Sequence, residues 1–346
     1  MSSKPKPIEP ELTEDELDQE HAEANINRVV DEESSGMRRV ETDDSALVAV
    51  PIETVPVNVA LPCSIYIKVA DRFPVLRQQG ERLTSRRMLG LQGRGVNVLF
   101  IHKVVWSVFL EGMEKPNAEQ PITAATAANH IRNLLLVYGQ ELERKLRAPK
   151  RPLFQKMQKM AEGLAVAIRS DPAIGSSLIR KYTEASVSFV GHALNTAIYV
   201  SIIAYKMKFS LEEMKLVTYA GLVHDVGELF IPKSIRYKKF ELEPDEKELL
   251  NTHTRKGAEL LQLMGSSPSV VLAALQHHER IDGKGYPSSL RGDQIHIFSK
   301  LVAVADTYDS LTSDKAYRAA LKPAEAIEKM RGFQGQFDPQ ILGMVS

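Results

Sequence analysis

The chain is nearly free of cysteine: Cys63 is the only one in 346 residues. That excludes an internal disulfide framework and any thiolate-rich zinc site, and it suits a reducing, cytoplasmic setting. Aromatics are also scarce at 6%. The most basic run, between Arg144 and Lys159, holds seven Lys/Arg but only Phe154 to interleave with them, so a nucleic-acid polymer is not an expected partner. The first fifty residues contain no apolar core of a secretory leader, and none is expected. Residues 53–112 contain no phosphate-cradling glycine loop, no metal-ligand spacing and no CxxC. Net charge is absent as well, but only as a total. Residues 1–50 carry fourteen Asp/Glu against five Lys/Arg, so the remainder carries an equal positive excess.

What is present divides the chain into four parts. Residues 1–52 read as an acidic, solvated tail, rich in Pro, Glu and Ser and without aromatics. Residues 53–112 read as a small α/β regulatory module, with β-branched stretches at 55–61, 64–69 and 95–101 and a helical stretch at 81–91. Residues 113–175 read as a helical linker or dimerisation region, its basic run a solvated face, with a break near Pro149 and Pro152. Residues 176–346 read as an all-helical domain, so the fold class is mostly α with a small α/β module in front.

Within that last part the helix signals are specific. Residues 185–205 have no formal charge and the length of a membrane span. Ser186, Ser188, His192, Asn195, Thr196 and Ser201 would each need a partner in hydrocarbon, so a buried helix of a globular domain is expected instead. Ser210 and Glu213 form a capping box for a helix that ends at His224-Asp225, before Gly227. Pro244 and Pro268 suit first helical turns, and residues 297–311 carry an apolar stripe beside Asp306.

The chemistry lies in the histidines. Five of nine fall between residues 192 and 278, and two are adjacent in His277-His278-Glu279-Arg280-Ile281-Asp282-Gly283-Lys284-Gly285-Tyr286-Pro287. The glycines and proline force that helix to end, so a loop turns beside paired imidazoles. His102 and His130 read as bystanders. His192, His224, Asp225, His253, His277, His278 and Asp306 are too many for one ion, which usually takes three or four protein ligands. They suit two ions if a carboxylate bridges, and Asp225, beside His224, is placed to do so. Two metals about 3.5–4 Å apart can hold a hydroxide and clamp the oxygens of a phosphoryl displacement.

The ordered motifs His-Asp-x-Gly, His-x-x-x-Gly, His-His-Glu-x-x-Asp-Gly-x-Gly-Tyr-Pro and Val-Ala-Asp-x-Tyr-Asp-x-Leu-Thr-Ser resemble those of the HD-GYP family, within the HD phosphohydrolases, over residues 183–340. The resemblance implies a metal-dependent phosphodiesterase that opens cyclic di-GMP to linear diguanylate, and further to GMP in some members. It implies two divalent transition metals, Fe or Mn. His192, His224, Asp225 and Asp306 would serve the first; Asp225, His253, His277 and His278 would serve the second. It also implies Gly285 and Tyr286 beside the substrate and Lys315 and Arg318 on its phosphates; a homodimer through the helical linker, signalling-protein partners and no membrane span are further expectations.

Two positions depart from the pattern. The family usually has lysine after His-Asp-x-Gly, and here Glu228 stands there, with a catalytic role in question. Some members have a glutamate one turn before the first histidine to support a third metal; this chain has Ser188. Two readings follow: a two-metal cyclic di-GMP phosphodiesterase, or a weakly active domain that serves as a cyclic dinucleotide receptor. A redox diiron role is disfavoured by the cationic Lys315 and Arg318.

Overall fold

The computed structural model describes residues 46–70, 72–113, 123–144, 150–179, 185–238, 240–313 and 319–345. The chain separates into two compact units, Met1–Glu119 and Gln120–Ser346.

The first unit is built on a four-stranded antiparallel sheet of β1 (Leu47–Pro51), β2 (Ile65–Tyr66), β3 (Val75–Arg77) and β4 (Val98–His102), in spatial order β1-β4-β2-β3. Helices α1 (Ser85–Gln92) and α2 (Trp106–Met113) complete it. Val50, Ile52, Leu83, Leu99, Ile101 and Phe109 form its fully buried core. Burial pushes the Cys63 thiol up to about 11, so it is an inert core group rather than a nucleophile. Two expectations are corrected here. Residues 47–51, assigned to the acidic tail, are the edge strand β1, which pairs antiparallel with β4 and buries Leu47 and Val50. The stretch 55–61 is not a strand. Asn58 takes a positive φ of 62° and turns its amide to Ser85 at the start of α1, which ends any regular pairing.

The second unit is helical. Its elements are α3 (Ala124–Arg144), α4 (Arg151–Ser170), α5 (Pro172–Leu178), α6 (Ala185–Lys206), α7 (Leu211–Val223), α8 (Lys233–Arg236), α9 (Pro244–Asn251), α10 (His253–Met264), α11 (Pro268–Gln276), α12 (Ile297–Thr312), α13 (Pro323–Gly332) and α14 (Pro339–Leu342). The expected signals define many ends. Ser210 and Glu213 cap α7 reciprocally, proline opens α9 and α11, and Gly265 closes α10 at φ 81°.

The helices expected to form a linker belong to this unit. Helix α3 packs on α4, α5 and α6, and α4 packs on α6 and α7. Residues 132–142 of α3 are buried on every side, Arg132, Gln140 and Glu141 included. Arg132 Nε donates to the Leu178 carbonyl at 2.8 Å, which ties α3 to the end of α5. The described cations of the basic run, Lys150, Arg151, Lys156 and Lys159, are exposed as expected. Helix α6 is the core element predicted for residues 185–205, with Asn195, Thr196 and Ser201 buried. No helix among the described residues is long and apolar enough to cross a membrane.

Candidate metal centre

Most ligand candidates are delivered by helix ends. His224 and Asp225 follow α7, His253 opens α10 directly after α9, and His277 and His278 follow α11. His192 and Asp306 come from within α6 and α12. Three of the rings are pinned alike. His224 Nδ1 donates to the Gly221 carbonyl at 2.8 Å, His253 Nδ1 to Leu250 at 2.7 Å and His277 Nδ1 to Ala274 at 2.9 Å. A carbonyl only accepts, so the proton is on Nδ1 and each Nε2 presents a lone pair.

Those lone pairs converge on Asp225. Its Oδ1 is 3.2 Å from His277 Nε2 and 3.3 Å from His253 Nε2. Its Oδ2 is 3.1 Å from His224 Nε2 and 3.8 Å from His192 Nε2. His192 Nε2 also lies 3.1 Å from Asp306 Oδ1. The candidates fall into two groups, Asp225 with His253, His277 and His278, and His192 with His224 and Asp306, with ligand atoms in each group within 4.8 Å of one another.

This is an arrangement of acceptors facing acceptors. His253 Nε2 and His277 Nε2 stand 3.3 Å apart, while His224 Nε2 and Asp225 Oδ1 are buried without a hydrogen-bond partner. Orphaned buried acceptors are costly unless a cation sits among them. A shell of imidazole and carboxylate without thiolate suits a divalent transition metal, so the residues fit the group the sequence implied.

Without metal, protons must do that work. At His253, burial lowers the imidazole pKa, but the Asp225 carboxylate overrides it and lifts the value to about 9. His192, opposed by burial but backed by Asp306 and Asp309, is held well above the ordinary range. Burial dominates at His277 and His278 and lowers both. A raised histidine pKa contributes stability that is complete below about 6.5 and lost as pH rises through the folded-state value. The metal-free protein is therefore expected to melt several degrees lower at about pH 9 than at about pH 6.5, a dependence that saturating Mn²⁺ should flatten because metal replaces the protons. Thermal melts of chelator-treated and reloaded protein check this; a melting temperature that climbs with pH would contradict it.

The surrounding residues hold the ligands. His192 Nδ1 donates to Asp309 Oδ2 at 2.7 Å, and Asn195 Nδ2 donates to the other Asp309 oxygen at 3.0 Å. Sequence reasoning missed Asp309. Its signal was its place as the second acid of the Val-Ala-Asp-x-Tyr-Asp motif, one turn after Asp306 on α12. The buried Glu279 carboxylate accepts from the Ser288 and Leu290 amides at 2.6 and 3.0 Å, folding the glycine-rich loop back beside His278. On that loop Tyr286 stacks on the His278 ring, centroids 4.8 Å apart, and Gly285 abuts the backbone of His278 and Glu279 so closely that a Cβ would not fit. Half-buried Glu228 lies in the 3₁₀ turn Val226–Phe230. Burial first, then Asp225, pushes its carboxyl up to about 7, against the pull of His253, His192 and Arg236. Lys315 and Arg318 lie outside the described residues.

A family model described as HD domain matches residues 176–341. Residues 176–341 are therefore an HD domain. The chain is 33% identical over 183 residues to the cyclic di-GMP phosphodiesterase PA4108 of Pseudomonas aeruginosa, an alignment covering 53% of this chain and 44% of that protein. It is 37% identical over 144 residues to the cyclic di-GMP phosphodiesterase response regulator RpfG of Xanthomonas campestris pv. campestris, covering 40% of this chain and 38% of that protein. The chain thus spans less than half the length of either relative. The solved structure of Bd1817, an HDG"Y"P protein from Bdellovibrio bacteriovorus, shares the fold with TM-score 0.65 at 18% identity, over 86% of this chain and 98% of that one.

Proposed function

We propose that the HD domain is a cyclic di-GMP phosphodiesterase that opens one phosphodiester to give linear diguanylate. His192, His224 and Asp306 would hold one divalent ion and His253, His277 and His278 the other, Fe or Mn, with Asp225 shared between them. The observation that carries this is Asp225 itself, one oxygen turned to each group of ligands. Two bound cations would supply Lewis-acid charge at the phosphate and lower the pKa of the attacking water.

The chain's own residues do the rest. Asp309, Asn195 and the three backbone carbonyls fix the ring orientations before substrate arrives. Glu279 holds the Gly285-Tyr286 rim in place, and Lys315 and Arg318 would grip the phosphates. Glu228 replaces a cation with a carboxyl whose pKa near 7 suits a proton donor to the departing oxygen. In that role Glu228→Gln should lower kcat about 10²–10⁴-fold and remove the limb of the pH profile that reports its ionisation.

Glu228 also motivates a second reading, in which the domain binds cyclic di-GMP with little turnover because a carboxylate replaces a helpful cation. Anaerobic purification with metal analysis, then turnover of cyclic di-GMP by wild type and Glu228→Lys, separates the two. Wild-type turnover supports the enzyme. A silent wild type rescued by lysine locates the block at one residue, and silence of both, with metal and nucleotide bound, establishes a receptor.

A further inference from the structure

We propose that the two halves of the centre are unequal by construction: Asp309 makes the His192–His224–Asp306 half the tighter one and the first to fill. The inference rests on the ligand reading above and adds an order to it.

The inequality is in the partners behind the rings. His253 and His277 each donate Nδ1–H to a neutral backbone carbonyl, as does His224. His192 alone among these four donates to a carboxylate, at 2.7 Å. That carboxylate is 2% exposed, and Asn195 fixes its second oxygen. A buried negative charge on the far side of an imidazole makes Nε2 a stronger donor toward a metal and locks the ring's direction. The charge count runs the same way. With Asp225 shared, the first half adds the ligand Asp306 and, behind it, Asp309; the second half adds three neutral imidazoles. In a buried site with little water to screen it, an extra charge within a few ångströms of the ion is a large bias.

Glu228 is the counterweight to weigh. It acts on His253 through space, but both His253 nitrogens are already engaged, Nδ1 by the Leu250 carbonyl and Nε2 toward Asp225 and His277. It therefore has no aligned hydrogen bond through a ligand ring of the kind Asp309 makes. Asp309 is a positioning residue. The second half, with His278 stacked under Tyr286, lacks such a carboxylate partner and is the weaker one, so the protein holds a resident ion and an ion that tracks supply.

The test is a Mn²⁺ titration of the full chain after chelation and dialysis, followed by calorimetry and electron paramagnetic resonance. Wild type should bind in two steps at least about tenfold apart, given what a partner behind a ligand histidine contributes. The first equivalent should give an isolated Mn²⁺ spectrum and the second a spin-coupled pair. Asp309→Asn should weaken the tighter step about 10–100-fold and leave the other within about twofold. A merely structural role would not select one step. If Asp309→Asn misfolds, Asn195→Ala frees the same carboxylate without removing its charge and should weaken the same step less, while His253→Ala should delete the weaker step. Two equal steps, coupled pairs from the first equivalent, or an Asp309→Asn effect on the weaker step would overturn the proposal while leaving the ligand set standing. A wild type that retains no Mn²⁺ would remove the ligand set and this inference with it.

Discussion

Asp225→Asn is expected to cost the protein both of its ions, or all but one, and to reduce turnover about 10³-fold or more, beyond the loss for a single electrostatic contact. The reason is geometric. Oδ1 stands 3.2 and 3.3 Å from His277 and His253 Nε2, and Oδ2 stands 3.1 Å from His224 Nε2. An amide keeps the shape but has one oxygen and no charge, so it can serve one half and presents an N–H₂ to the other. Burial ought to hold the Asp225 carboxyl protonated, yet the surrounding His224, His253 and His277 hold its pKa well below the usual range. It is thus the anion on which the cations depend. Metal counts by mass spectrometry, read beside circular dichroism to exclude unfolding, decide the matter. His253→Ala is the comparison and should lose one ion. Two ions retained per chain in Asp225→Asn would end the bridging assignment.

Gly227→Ala should be among the most destabilising single methyl additions in the chain, about 3 kcal/mol or more. A Cβ at Gly227 would overlap the His253 carbonyl oxygen and come within 2.6 Å of the Gly257 amide nitrogen. Both obstacles are backbone, so no side chain can swing aside. The turn after Asp225 and the first turn of α10 are packed glycine to glycine, and that contact sets the distance between Asp225 and His253. A melting temperature lower by roughly 6–12 °C follows for a unit of this size. Gly257→Ala meets its nearest obstacle, the Gly227 nitrogen, at 3.1 Å and should cost visibly less. Equal melting of Gly227→Ala and wild type would show that the two segments can separate.

This contact also explains what could be read from the sequence. The ligands were legible because imidazoles and carboxylates repeated over several helices have few other uses, and Ser210, Pro244, Gly265 and Pro268 marked where those helices begin and end. The spacing His253-x-x-x-Gly257 was visible as a motif, but its reason, close approach to Gly227, exists only in three dimensions. Asp309 was hidden for a related cause. Its place in the Val-Ala-Asp-x-Tyr-Asp motif was visible, but its role appears only when α6 brings His192 and Asn195 against it. Composition misled at α3, where Arg132, Gln140 and Glu141, expected to lie in a linker, are buried anchors. It misled again at Leu47–Pro51, where a window over the acidic segment averaged away five residues of strand.

The pinning of the rings has one more consequence. His224, His253 and His277 hydrogen-bond to carbonyls in the last turns of α7, α9 and α11, so three helices aim their C-terminal ends at one point. Each such end carries a partial negative charge of about half a unit, weakened where a ring caps it. These ends add to Asp225, Asp306 and Asp309, and in a pocket without metal they are opposed by the protons on His192 and His253. On the proposed function, a cyclic dinucleotide, with two phosphate charges of its own, would be held more tightly once divalent ions replaced those protons. Loading therefore adds positive charge at the pocket, and substrate affinity becomes a readout of metal occupancy before any bond is broken.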